Sequence, residues 1–163
     1  MIDALDALSE KAATGLAWLA GAFLVAMMLL ACANMVVRFF DAPIKGAFEL
    51  MGFMGAATAA FSLAFAQRQK AHIAVGILLK RFPKPVRRLA DAVAFAASAA
   101  FFGLCGIETW KWADFLVLTG EVSETLQIVY HPFVFAASAG CFVFAFILAV
   151  DALKILSGKQ AVE

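Results

Sequence analysis

Four stretches of this chain run for sixteen or more residues without a single Asp, Glu, Lys or Arg: Gly15 to Val37, Leu50 to Gln67, Ala92 to Ile107 and Thr125 to Val150. No other feature constrains the fold so tightly. A bilayer core of about 30 Å takes roughly 20 residues of helix, or about 17 to 25 with tilt, so each run can anchor one membrane span. The third run is the shortest and reaches length by placing Asp91 or Glu108 near a boundary, where headgroups and water solvate charge. Membrane strands would alternate apolar and polar residues, and these runs are apolar on every side. The composition agrees: 64% of the 163 residues are hydrophobic and only 15% are charged, against about 25% in soluble domains. The expected fold is an all-α membrane protein of four transmembrane helices, with spans at roughly 15–38, 46–67, 88–110 and 130–153 in one membrane domain covering residues 1–163.

The net charge of +1 gives no reason to expect a nucleic-acid partner, but the distribution of charge is informative. Seven of the thirteen Lys and Arg residues lie between Phe65 and Arg88. With four spans and both termini on one side, that side carries ten of the thirteen, and the other only Arg38, Lys45 and Lys111. Basic loops stay in the cytoplasm, so the termini and the 2–3 loop are expected inside. LLAC (Leu29 to Cys32) and Ala31-Cys32-Ala33 resemble processing sites, but the leader is acidic and the apolar run is longer than that of a signal peptide, so cleavage is not expected. Cys32, Cys105 and Cys141 lack C-x-x-C spacing and read as small packing residues.

Local patterns fill in the connections. The first seventeen residues can begin as an amphipathic helix, with Ile2, Leu5, Leu8 and Ala12 on one side. Asp41-Ala42-Pro43 and Gly46 mark a short outer turn. Gly52, Gly55, Ala56, Ala59 and Ala60 give the second span a smooth face for another helix, of this chain or of a partner. Within the 2–3 loop, His72 to Arg81 reads as a short amphipathic helix whose polar face is His72, Gly76 and Lys80. It either packs against protein on several sides or lies on anionic lipid headgroups. Trp110 and Trp112 mark the outer interface at the end of span three, and Glu108 and Lys111 are spaced to pair.

Chemistry is sparse. His72 and His131 fall on opposite sides, about a bilayer apart, and cannot ligate one haem. No H-E-x-x-H, G-x-S-x-G or phosphate loop is present, so no enzyme active site, cofactor or metal is expected. None of the four prolines breaks a span, and a broken helix is the usual substrate site of a transporter. Glu49, about one turn deep on the outer side with Arg38 at a similar level, reads in two ways. It is a proton or cation site, or it is a structural tie to Arg38 or a contact to another subunit, since charges at that depth are usually paired. Arg68 and His72, four apart, are expected to bind carbonyls, lipid phosphates or acids at a subunit seam, or else to snorkel and be solvated.

The order of these residues resembles a known family. Arg38-Phe39 ends span one and Glu49 opens span two. Then Ala66, Arg68, His72, Ile73 and Val75 form A-x-R-x-x-x-H-I-x-V, and a proline precedes basic residues. This is similar to the small membrane subunit of tripartite ATP-independent periplasmic (TRAP) transporters, over nearly the whole chain. The family often has a second acid beside Glu49 and a Trp just upstream, where this chain has Leu50 and Phe48. The resemblance implies a sodium-driven importer of organic anions such as dicarboxylates, sialic acids or sulfonates, in the bacterial inner membrane. It implies two protein partners, a periplasmic substrate-binding protein and a large elevator-type membrane subunit. The small subunit would be the fixed scaffold, bathed in membrane lipids, with the sodium and substrate residues on the large chain. Two other classes remain open on the residues alone: a proton-coupled four-helix exporter working as a homodimer, and the membrane anchor of a redox enzyme.

Overall fold

Backbone groups in a bilayer have no water to bond, so each apolar run must satisfy them internally, and each does so as a helix. The computed structural model describes residues 2–69 and 84–157. It contains α1 (Ile2–Arg38), α2 (Ala47–Arg68), α3 (Lys84–Thr119) and α4 (His131–Leu156). All four are long and apolar enough to cross a membrane. At 1.5 Å per residue, α2 and α4 are about 33 and 39 Å long, close to one bilayer, whereas α1 and α3 reach about 55 and 54 Å. The expected loop helix of His72 to Arg81 lies outside the described residues.

The helix ends follow from local chemistry. After α1 the chain turns at Asp41, whose φ of 54° is left-handed. The side chain of Asn34 accepts the amide of Ile44 at 2.9 Å and holds this turn. Gly46 opens α2 with φ 70°, and a Cβ there would run into the side chain of Leu126, so both conformation and space require glycine. Gly120 ends α3 at φ 64°, and Glu121 donates back to the Leu116 carbonyl at 3.3 Å, the pattern of a left-handed helix stop. The 3–4 loop folds on itself through a Val122–Val129 bridge and a 2.9 Å bond from the Ser123 amide to the Ile128 carbonyl. Pro132 then sits in the first turn of α4, where its missing amide proton is not needed.

The helices pack in the order α1, α2, α4, α3, with α1 also reaching α4. The centre depends on small residues. A Cβ on Gly140 of α4 would lie 2.9 Å from Ala60 of α2, so these two backbones approach as closely as glycine allows. The buried Ser138 hydroxyl donates to the Gly106 carbonyl of α3 at 2.8 Å, which ties α4 to its other neighbour. From the end of the bundle that carries the 3–4 loop an aromatic chain crosses the molecule: Trp112 near Tyr130, Tyr130 stacked on Phe53 at 5.2 Å, Phe53 on Phe133, then Phe23 and Phe61. It joins residues of all four helices.

Two expectations shift. The amphipathic start of α1 is there as helix, but its buried side is Ser9 and Ala13, and Leu8 faces outward. The polar partner described below turns the helix that way. The third helix continues past the tryptophan pair to Thr119, because Ala113 and Leu116 are buried against Val134. The stop comes only at Gly120.

Candidate functional site: two ties at opposite membrane faces

At the end of the bundle where α1 begins and α2 and α4 finish, Asp6 gathers cations from two other helices. Arg68 of α2 places Nη1 2.6 Å from Asp6 Oδ1, and its Nη2 donates to the Asp6 carbonyl at 3.0 Å and to the Ser9 hydroxyl. Lys154 of α4 pairs with the same carboxylate oxygen. Ser9 is fully buried and donates in turn to the Asp6 carbonyl at 2.8 Å. Beside this cluster Gln67 donates to Asp151 of α4 at 3.1 Å. Below it Ala13, Ala64 and Ile147 close the apolar seam of the same three helices. The guanidinium fork makes this possible, since one planar group can meet a carboxylate, a carbonyl and a hydroxyl together. Its Nε is buried without a hydrogen-bond partner among the described residues.

At the other end, Glu49 in the first turn of α2 reaches the 3–4 loop. One carboxylate oxygen accepts the Thr125 amide at 2.7 Å and the other accepts the Leu126 amide at 3.2 Å. Leu126 is also the residue that fills the space over Gly46. The 1–2 turn and the 3–4 loop therefore close on each other as one cap. A carboxylate is suited to this role because two oxygens can take two successive backbone donors without a counter-ion.

The sequence residues sort as follows. Arg38 and Glu49 do not form the expected tie: among the described residues they make no ion pair, and both Glu49 oxygens are taken by loop amides. Geometry explains the difference. The loop amides are fixed next to the first turn of α2, whereas Arg38 is the exposed last residue of α1, before the turn. Arg68 does meet an acid, but that acid is Asp6 of its own chain. His72 lies outside the described residues. Glu108 and Lys111 pair at 2.7 Å as their spacing predicts, with both side chains about two-thirds exposed, so the pair adds little stability. Sequence reasoning missed Asp6, Ser9 and Lys154. The available signal was the acidic leader itself, with Asp3, Asp6 and Glu10 at the same end of the bundle as Arg68 at the end of span two.

Both ties join elements of the chain to one another. No cluster of three or more His, Cys, Asp or Glu occurs among the described residues, and the cysteines are free. The charged groups instead hold helices together at the two membrane faces. The family model described as "Tripartite ATP-independent periplasmic transporters, DctQ component" matches residues 27–158, from the middle of α1 to just beyond the end of α4. The chain belongs to this family. No curated protein and no solved structure matches it. As a DctQ component it is the small subunit of a TRAP transporter, a multi-pass membrane protein and not an enzyme. The matched region includes Glu49, the 3–4 loop, Arg68 and Lys154, and it begins after Asp6 and Ser9.

Proposed function

We propose that this DctQ component is the fixed scaffold of a sodium-driven importer of organic anions, of dicarboxylate, sialic acid or sulfonate type. On this reading it lies in the bacterial inner membrane with its termini and 2–3 loop in the cytoplasm. It holds a large elevator-type membrane subunit that receives substrate from a periplasmic binding protein. The observation that carries the scaffold role is the double tie. The α1–α2 hairpin is joined to α4 by Asp6, Arg68 and Lys154 at one face and to the 3–4 loop by Glu49 at the other. Between them lie the glycine contact of α4 with α2 and the aromatic chain. A subunit that had to open and close would need one of these to break in each cycle. The orientation rests on the basic 2–3 loop.

The exporter reading loses its proton site, because Glu49 gives both oxygens to backbone amides. The redox-anchor reading has no histidine pair to support it among the described residues, where His131 lies at the start of α4 and stacks edge-on against Phe135. The test is reconstitution of the chain with its large subunit and binding protein in vesicles. Uptake of a radiolabelled organic anion should require an inward sodium gradient and should vanish when this chain is omitted. Uptake that persists without the chain, or that a proton gradient alone drives, overturns the reading.

A further inference from the structure

Three of the motif residues of this chain differ in what they touch. Glu49 and the two Nη groups of Arg68 find their partners within the chain, but Arg38 makes no ion pair or hydrogen bond through its side chain among the described residues. It stands at the start of a turn flanked by three largely uncovered aromatic rings: Phe39 is 91% exposed, and Phe40 and, in the first turn of α2, Phe48 are each 78% exposed. The turn is nonetheless fixed. Asn34 holds Ile44, Gly46 seats Leu126, and Glu49 binds the loop amides.

We propose that this outer turn, residues 38–48, seats the large membrane subunit, with Arg38 paired to a carboxylate of that partner and Phe39, Phe40 and Phe48 packed into its apolar surface. The inference rests on the proposed reading of the chain as the scaffold that holds the large subunit. Three physical points favour a protein over lipid. First, an arginine at the membrane edge without a counter-ion matches an acidic partner, and phenylalanine and arginine are both enriched at protein interfaces relative to the rest of the surface. Second, a rigid turn loses little freedom on docking, which matters for a shaped protein surface and not for fluid lipid. Third, the residues suited to the lipid interface are elsewhere. Trp and Tyr hold that level because one end of the ring is polar. Here Trp110, Trp112 and Tyr130 all lie on the α3–α4 hairpin, and the α1–α2 turn offers only Phe.

The test uses the chain co-produced with its large subunit in native membranes. A photoreactive phenylalanine analogue replaces Phe39, Phe40 or Phe48 in turn, with Leu104, on the outward side of α3, as the reference position. We expect adducts with the large subunit from the turn and lipid adducts from Leu104. Arg38→Lys keeps the charge but loses the planar fork, so copurified large subunit should fall about tenfold or more. Unfolding of the small subunit alone should not change. Lipid adducts alone from all three turn positions, or an Arg38→Lys variant that retains the large subunit, overturn the proposal while a wild-type complex still upholds the scaffold reading. If the wild-type chain retains no large subunit at all, the scaffold reading fails and this inference with it.

Discussion

Asp6→Ala is the perturbation with the largest expected effect on stability. It removes the one carboxylate shared by Arg68 and Lys154, whose side chains are only 19% and 15% exposed, while the Asp6 side chain itself is 36% exposed. Breaking a fully buried pair costs about 3–5 kcal/mol, because an unmatched charge is left behind, and an exposed pair contributes about 0–1 kcal/mol. The cluster lies between these limits, nearer the buried one for its cations, so a loss of roughly 2–3 kcal/mol is expected after discounting for solvent at Asp6. Arg68→Lys should cost less, about 1–2 kcal/mol, since it keeps the charge and loses the bonds to the Asp6 carbonyl and Ser9. Removing both Asp6 and Arg68 should be milder than the sum of the single changes, with a coupling of about 1–3 kcal/mol. Equilibrium unfolding in mixed detergent micelles, followed by circular dichroism, reads the wild type, the two single removals and the double. Asp6→Ala within about 0.5 kcal/mol of wild type, or strict additivity of the two changes, would refute the reasoning.

Gly140→Ala should destabilise by about 1–3 kcal/mol in the same assay, because its methyl would meet the Ala60 backbone; Gly52→Ala, whose Cβ meets nothing within 4 Å, serves as the neutral control. Glu49→Ala frees two amides of the 3–4 loop, so limited proteolysis between Gly120 and Tyr130 should become faster while the helices persist, and unchanged cleavage would remove Glu49 from the cap. A reporter fused after Lys84 should be active only in the cytoplasm and one at Gly120 only in the periplasm; the reverse pattern would invert the topology.

The helices were legible from the apolar runs because a bilayer leaves the backbone no alternative to internal bonding. Their ends were less so. The stop at Gly120 depends on a left-handed residue that a run of hydropathy does not register, and Ala113 and Leu116 continue α3 because Val134 covers them, a contact between distant positions. The site divides in the same way. That Arg68 would meet carbonyls, phosphates or acids unless it snorkelled into water, and that Glu49 at its depth needed a partner, followed from the cost of charge at a membrane edge. Which partner each takes did not follow. Arg38 was the obvious ion for Glu49 in sequence, yet the two backbone amides of a loop 76 and 77 residues away bind it. Asp6 carried no periodic signal, because acids near a terminus usually face water.

The central claim is that the two hairpins form one body that does not change shape during transport. Gln67 and Asp151, which meet at 3.1 Å across α2 and α4, are the place to test it. With Cys32, Cys105 and Cys141 replaced by Ser, cysteines at positions 67 and 151 can be joined by a short bifunctional thiol reagent. Sodium-driven uptake is then measured in vesicles that hold the large subunit and the binding protein, before and after joining. The scaffold account predicts uptake within about twofold of the unjoined protein, far less than the loss of about a hundredfold that misplacing an essential moving part can produce. Loss of uptake on joining, restored when the link is cleaved, would show that α2 and α4 move against each other and would contradict the account.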